Sequence, residues 1–379
     1  MVVLLVDALG WELASAMPGF AVPLAERRRL DTILGFSSGA LPTLFTGRMP
    51  AEHGRWLMYR RATGATPFAG FGALAWLPAR VRQSLRASRW LTRLVAQRGV
   101  RGYFHLYDVP RPLLEHFDLP EREDIFLPGG LPGVSLWDSL ERRGVPWRGW
   151  NWRTPETANL AALEDRLAHG DERLLFCYTA DLDALLHREG SRGAGVGERL
   201  RRYDAVIGRL LAAAEKRGEH LWLYLLSDHG MVDVTGHCDV MGALAGLAMR
   251  WPGDYLAFFD STLARFWWRA PGARQLVMER LARLPGGRWL DRDELRRASA
   301  PEDPSWGEDV FLLDPGQLLV PSFMGRGPLA AMHGYDPAHP DMAALLWSNR
   351  PVPDSVRHLR DVRGHLEAEL DALGREAAA

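Results

Sequence analysis

The 379-residue sequence predicts an α/β fold, a mostly parallel sheet held between helical layers, and three observations carry that prediction. Apolar runs of strand length recur at residues 2–6, 174–178, 221–226 and 344–347. Segments with helical periodicity separate them, at 134–143, 157–168 and 198–217. Three of the four runs also end in or near aspartate: Asp7, Asp181 with Asp183, and Asp228.

Each element follows from a physical requirement. A strand that is apolar at every position is buried on both faces, as in a parallel sheet covered by helices. Strands alternating with helices build the crossovers of such a sheet. Ligands then bind beyond the carboxyl ends of the strands, where the aspartates lie. The predicted core spans 1–59, 130–231 and 325–379. Residues 60–129, rich in aromatics, arginine, glycine and proline, read as a cap insertion with an amphipathic stretch over 75–97. Residues 232–324 read as a small α+β insertion, with strands at 255–259, 263–268 and 310–313 and a helix at 274–284. A C-terminal amphipathic helix is expected over 356–373 and a frayed tail over 377–379.

Composition excludes several classes. Apolar residues at 47% and charged residues at 25% are ordinary for a globular chain, which rules out a disordered, collagen-like or coiled-coil protein. With 46 basic against 47 acidic residues, overall charge gives no case for a nucleic-acid partner. Arg80, Arg82, Arg86, Arg89 and Arg93 interrupt the longest apolar candidate, so no membrane span is expected. Two cysteines, Cys177 and Cys238, make no disulfide framework, and Cys177 reads as a small buried hydrophobe. The first apolar run is short and lacks a basic leader, so a cytoplasmic location is expected. The oligomeric state is not legible.

Four segments carry the chemistry. Asp7 ends the first strand, where an unpartnered buried carboxylate is costly. Ser37 and Ser38 precede a helical pattern, after an expected strand; a helix N-terminus there would stabilise negative charge developing on a serine oxygen. Asp183 and His187 are four residues apart and share one helix face. Asp228 and His229 sit on the turn after a strand, and His333 follows much later. Imidazole with carboxylate suits zinc. Asp7, Asp183, His187, Asp228, His229 and His333 supply enough ligands for two ions, which can clamp the attacking and leaving oxygens of a phosphoryl transfer.

The set, in this order and at strand ends, resembles the alkaline phosphatase superfamily and within it the type I phosphodiesterase/nucleotide pyrophosphatase group. Thr46-Gly47, followed by Pro50 and His53-Gly54, matches the stretch after that group's nucleophile, and counting back ten from Gly47 lands on Ser37. The resemblance implies an alkaline-phosphatase-like fold and a phosphoric ester hydrolase. It implies one zinc held by Asp183, His187 and His333, and a second held by Asp7, Asp228, His229 and the Ser37 oxygen, with manganese as the alternative metal. Ser37 would attack phosphorus and form a phosphoseryl intermediate that water releases. The implied substrate is a small phosphate ester, a diester or pyrophosphate, with phosphomonoesterase as the alternative activity. A catalytically degenerate binding protein on the same fold is the alternative of another class.

The sequence departs from the group after the nucleophile. Ser38 stands where an aromatic is common, and Gly39-Ala40 replaces a Pro and a phosphate-contacting Asn, so nucleotide selectivity is not implied. Ser38 is the nucleophile if the register slips by one; otherwise it is a candidate substrate contact. Arg48 and Arg60 are candidate phosphate clamps, since a guanidinium matches phosphate geometry.

Overall fold

The computed structural model describes residues 1–376, and the tail expected over 377–379 lies outside the described residues. The chain divides into two compact units. The first comprises Met1–Met49, Phe126–Asp233 and the stretch from Leu329 onward; the second comprises Pro50–Ile125 and Val234–Pro328.

The first unit is built on a six-stranded sheet. Its strands are β1 (Val2–Val6), β2 (Glu26–Leu30), β3 (Trp147–Trp150), β4 (Leu174–Thr179), β5 (Leu223–Leu226) and β6 (Ala344–Ser348), in the order β2-β6-β5-β1-β4-β3. The ladders from β5 through β1 and β4 to β3 are parallel, and β6 is antiparallel to both β5 and β2. Helices α1 (Ser37–Thr46), α2 (Leu136–Arg142), α3 (Glu156–His169), α4 (Asp181–Glu189), α5 (Ala194–Lys216) and α6 (Leu359–Glu376) belong to the same unit.

Strand alternation explains why the central runs are apolar throughout. Val2, Leu4, Val6, Leu175, Cys177, Leu223 and Leu225 share one core with Leu163 of α3 and Val196, Leu200, Tyr203, Val206 and Leu210 of α5. The intervening residues face the other layer. There Phe176 packs against Phe45 of α1 at 5.7 Å and Trp137 of α2 at 4.9 Å, and Tyr224 meets His365 of α6 at 5.6 Å. The bounds of the four central strands lie close to those read from the sequence.

The edge strands β2 and β3 carry no apolar run, since an edge strand lacks a neighbour on one side and tolerates charge. Residues 26–29 of β2 alternate between half-buried and exposed, Leu30 is buried, and Arg27 lays its guanidinium 4.2 Å from the Trp347 ring of β6. The strand expected immediately before Ser37 is absent. β2 ends at Leu30, and the following segment is tied to the end of β5 by a side chain instead: Thr32 Oγ1 donates to the carbonyl of Asp228 at 2.7 Å. The C-terminal helix begins at Leu359 rather than 356.

The second unit holds an antiparallel sheet, in which Leu263–Trp268 pairs with Tyr255–Phe259 and with Asp309–Leu313, and the latter pairs with Gly287–Leu290. The fully buried Arg265 joins the unit's two chain segments. Its Nε donates to Asp260 at 3.0 Å, and its Nη1 donates to the carbonyls of Tyr59 and Trp306. The amphipathic stretch over 75–97 is not one helix. Pro78 and Ser84 divide it into a 3₁₀ turn (Phe71–Trp76), one helical turn (Ala79–Arg82) and a helix over Leu85–Gln97 whose N-cap is Ser84.

Candidate metal centre

Three adjacent parallel strands deliver the acidic groups to one edge of the sheet. β1 leads into Asp7, β4 leads into α4 with Asp183 and His187, and β5 leads into Asp228 and His229. Two local features shape these ends. Ala8 is buried at φ 61°, a left-handed conformation strained for a residue with a Cβ, and its N–H points to Asp228 Oδ1 at 3.4 Å. Gly230 is required by close packing: a Cβ there would lie 2.0 Å from the carbonyl oxygen of Asp341. Its N–H donates to Met342 O at 3.0 Å, which fixes the turn carrying Asp228 and His229.

Ser37 is the first residue of α1, so the positive end of the helix lies at its hydroxyl. Gly47, at φ 67°, closes the other end, which accounts for the glycine of the Thr-Gly pair. Ser37 Oγ lies 2.9 Å from His229 Nε2. His229 Nε2 in turn lies 3.3 Å from Asp7 Oδ1 and 3.4 Å from Asp228 Oδ2. Asp183 Oδ1 lies 3.2 Å from His187 Nε2 and 3.6 Å from His333 Nε2. The His333 ring stacks on His229 with centroids 3.9 Å apart. Two sets of ligand atoms therefore converge, Asp7/Asp228/His229 and Asp183/His229/His333, each within 4.8 Å. His187 joins the second set through Asp183.

The donor chemistry fits divalent ions. His187 Nδ1 faces the carbonyl of Ala331 and His229 Nδ1 that of Gly230, both at 2.9 Å. A carbonyl only accepts, so Nδ1 carries the proton and each Nε2 turns its lone pair toward the carboxylates, the arrangement of a metal-ligating histidine. Asp7 Oδ1, Asp183 Oδ1 and Asp228 Oδ2 are buried and have no hydrogen-bond partner among the described residues. Such oxygens facing imidazole lone pairs repel one another unless a cation lies among them.

Without an ion, the two carboxylates Asp7 and Asp183 shift in opposite directions. Burial, then the charges of Asp228 and Asp183, push the Asp7 carboxyl well above the usual range, although Tyr178 donates to its Oδ2. Burial would also raise Asp183, but His187, His333 and His229 hold it well below the usual range. Burial and neighbouring His229 push His333 well below an ordinary imidazole.

Six of the predicted ligands and Ser37 thus lie in one unit at one sheet edge. Ser38 follows on α1 and is half-buried. Arg60 belongs to the second unit, where it pairs with Asp118 at 3.3 Å, and Arg48 is exposed. Sequence reading missed Tyr178 and Thr32. Tyr178 carried a usable signal, because a hydroxyl inside an otherwise apolar strand needs a buried partner. Thr32 carried none.

Residues 1–294 match the model of the type I phosphodiesterase/nucleotide pyrophosphatase family. No curated protein sequence matches the chain significantly. Among solved structures, murine ectonucleotide pyrophosphatase/phosphodiesterase 5 is similar in fold, at 15% identity and a TM-score of 0.67, over 98% of this chain and 95% of that one. The human counterpart gives 14% identity and 0.67 over 98% and 94%. An inactive variant of the murine protein in complex with AMP gives 16% and 0.66 over the same shares. An alkaline-phosphatase-like sheet with a carboxylate–imidazole cluster beyond its strand ends, and a family match covering most of the length, lead to one conclusion: the chain belongs to the type I phosphodiesterase/nucleotide pyrophosphatase family of the alkaline phosphatase superfamily and is a phosphoric ester hydrolase.

Proposed function

We propose that the protein hydrolyses small phosphodiesters or pyrophosphates with Ser37 as nucleophile, at a site holding two divalent ions, zinc or else manganese. The observation that carries this reading is the 2.9 Å approach of Ser37 Oγ to His229 Nε2, at the start of α1 and beside the orphaned carboxylate oxygens. Asp183, His187 and His333 would hold one ion, and Asp7, Asp228, His229 and the Ser37 oxygen the other. Bound ions would supply positive charge to the phosphoryl oxygens and ease ionisation of the serine hydroxyl.

The chain's own groups do the rest. The backbone carbonyls of Ala331 and Gly230 orient His187 and His229, and the Tyr178 hydroxyl orients Asp7. As Ser37 Oγ bonds to phosphorus the ester P–O bond breaks, and the proton given up by the serine hydroxyl ends on the leaving oxygen, which departs as the alcohol or, from a pyrophosphate, as the phosphate. The positive end of α1 stabilises the charge that develops at the serine oxygen. Water then adds to phosphorus, the P–O bond to Ser37 breaks, and the serine recovers its proton.

The test is a panel of bis-p-nitrophenyl phosphate, p-nitrophenyl phosphate, a nucleotide sugar and p-nitrophenyl sulfate. A nucleotide ester belongs in the panel because the murine relative is found in complex with AMP. The reading expects the diester to be cleaved with the higher kcat/KM. A tenfold or greater preference for the monoester, about 1.4 kcal/mol of transition-state discrimination, would assign a phosphomonoesterase. No turnover of any ester would assign a binding protein.

A further inference from the structure

We propose that the face formed by residues 71–97 of the second unit is a docking surface for an anionic lipid membrane. Charge is the first observation. Between residues 71 and 97 the sequence holds five arginines and no acidic residue, in a chain whose net charge is −1. The helix Leu85–Gln97 buries Leu91 and Val95 and turns Arg86, Arg89 and Arg93 to the opposite side, where all three are exposed. Among the described residues no carboxylate pairs with these three or with Arg80, whereas Arg274, Arg288 and Arg296 elsewhere in the unit are all ion-paired.

The second observation is what flanks those arginines. Trp76 is 91% exposed, Leu85 78% and Trp90 60%, and Leu77 and Val81 are also exposed. On the Leu85–Gln97 helix, Leu85 and Trp90 lie on either side of the arginine stripe, as the 100° advance per residue dictates. Large apolar side chains cost free energy in water when they cluster, and most in this chain are buried.

Basic and apolar groups interleaved in this way match a bilayer interface. Indole rings sit at headgroup depth, leucine and valine enter the acyl boundary, and guanidinium groups bond lipid phosphates. A single-stranded nucleic acid would also take the arginines and tryptophans, but it has no use for the exposed Leu77, Val81 and Leu85. No helix among the described residues is long and apolar enough to cross a membrane, so the contact is with the surface only. The proposal stands independently of the catalytic reading.

The test is co-sedimentation of the full chain with phosphatidylcholine vesicles, with and without phosphatidylglycerol, at low and high salt. The expected result is binding that requires the anionic lipid and weakens with salt. Each basic residue near such a surface changes partition by about fivefold, so R86Q/R89Q/R93Q should lower it by tenfold or more. W76S/W90S should also lower it. All five positions are exposed, so both variants should keep the wild-type melting temperature and the hydrolysis of soluble esters. Three results would overturn the proposal: no binding, equal binding to neutral vesicles, or binding that both variants retain. Tighter binding to single-stranded DNA than to vesicles, or self-association abolished by the same substitutions, would assign the face to those partners instead and overturn it too.

Discussion

Replacing Asp7 with asparagine should raise the stability of the ion-free protein and remove its response to divalent ions. Asp7 is 3% exposed; Tyr178 donates to its Oδ2, and its Oδ1 has no hydrogen-bond partner among the described residues. Burial and the charges of Asp228 and Asp183 oppose its ionisation. An amide of the same shape carries no charge and keeps an acceptor for Tyr178. It also turns N–H donors toward the cluster that contains the orphaned Asp228 Oδ2. Satisfying a buried polar group contributes about 1–3 kcal/mol. For a unit of this size that is on the order of 2–12 °C in apparent Tm. In zinc the wild type gains more than the variant. An ion at a hundred times its Kd stabilises the wild type by about 2.7 kcal/mol, and the variant lacks a carboxylate ligand. The assay is thermal unfolding of both proteins after chelation and again with zinc. The reasoning is refuted if the variant is the less stable protein without ions, or if it gains as much from zinc as the wild type.

Three further outcomes follow from the same geometry. Ser37→Ala should lower diester turnover on the order of 10³-fold or more with an unchanged melting curve, while Ser38→Ala stays within about tenfold. The reverse pattern in steady-state kinetics would move the nucleophile by one residue. Gly230→Ala should destabilise the first unit by about 1–3 kcal/mol and abolish turnover, because its Cβ would collide with the Asp341 carbonyl; a variant that melts and turns over like wild type would show the turn to be tolerant. The third outcome concerns pH. Ion-free Asp7 keeps its proton at pH values where an ordinary aspartate has lost it, and an arriving ion must expel that proton. Ion affinity should therefore fall as pH drops, and calorimetric titration in buffers of different ionisation heat should count a released proton.

Two-sided burial decided how much of the fold could be read. The four central strands are apolar at nearly every position because helices cover both faces, and that pattern is visible without a structure. β2 and β3 escaped notice because an edge strand is free to carry Glu26, Arg27 and Arg28, or Arg148. The candidate ligands Asp7, Asp183, His187, Asp228 and His229 were legible because each stands at a strand end or one helical turn from another, and His333 through the family resemblance. Their support was less so. Tyr178 lies 171 residues from the carboxylate it serves and Thr32 lies 196 from the carbonyl it holds, and no local pattern encodes such pairings. Over 75–97 the helical period was real, but Pro78 and Ser84 cut it into pieces.

The central claim is that divalent ions at the Asp7–Asp228–His229 and Asp183–His187–His333 sets support Ser37 in cleaving phosphodiesters. The most direct measurement is hydrolysis of bis-p-nitrophenyl phosphate by chelator-stripped protein during titration with zinc or manganese. The account predicts no turnover in the stripped protein, with activity rising to a plateau at about two ions per chain. Full turnover in protein shown by elemental analysis to be free of metal would contradict it.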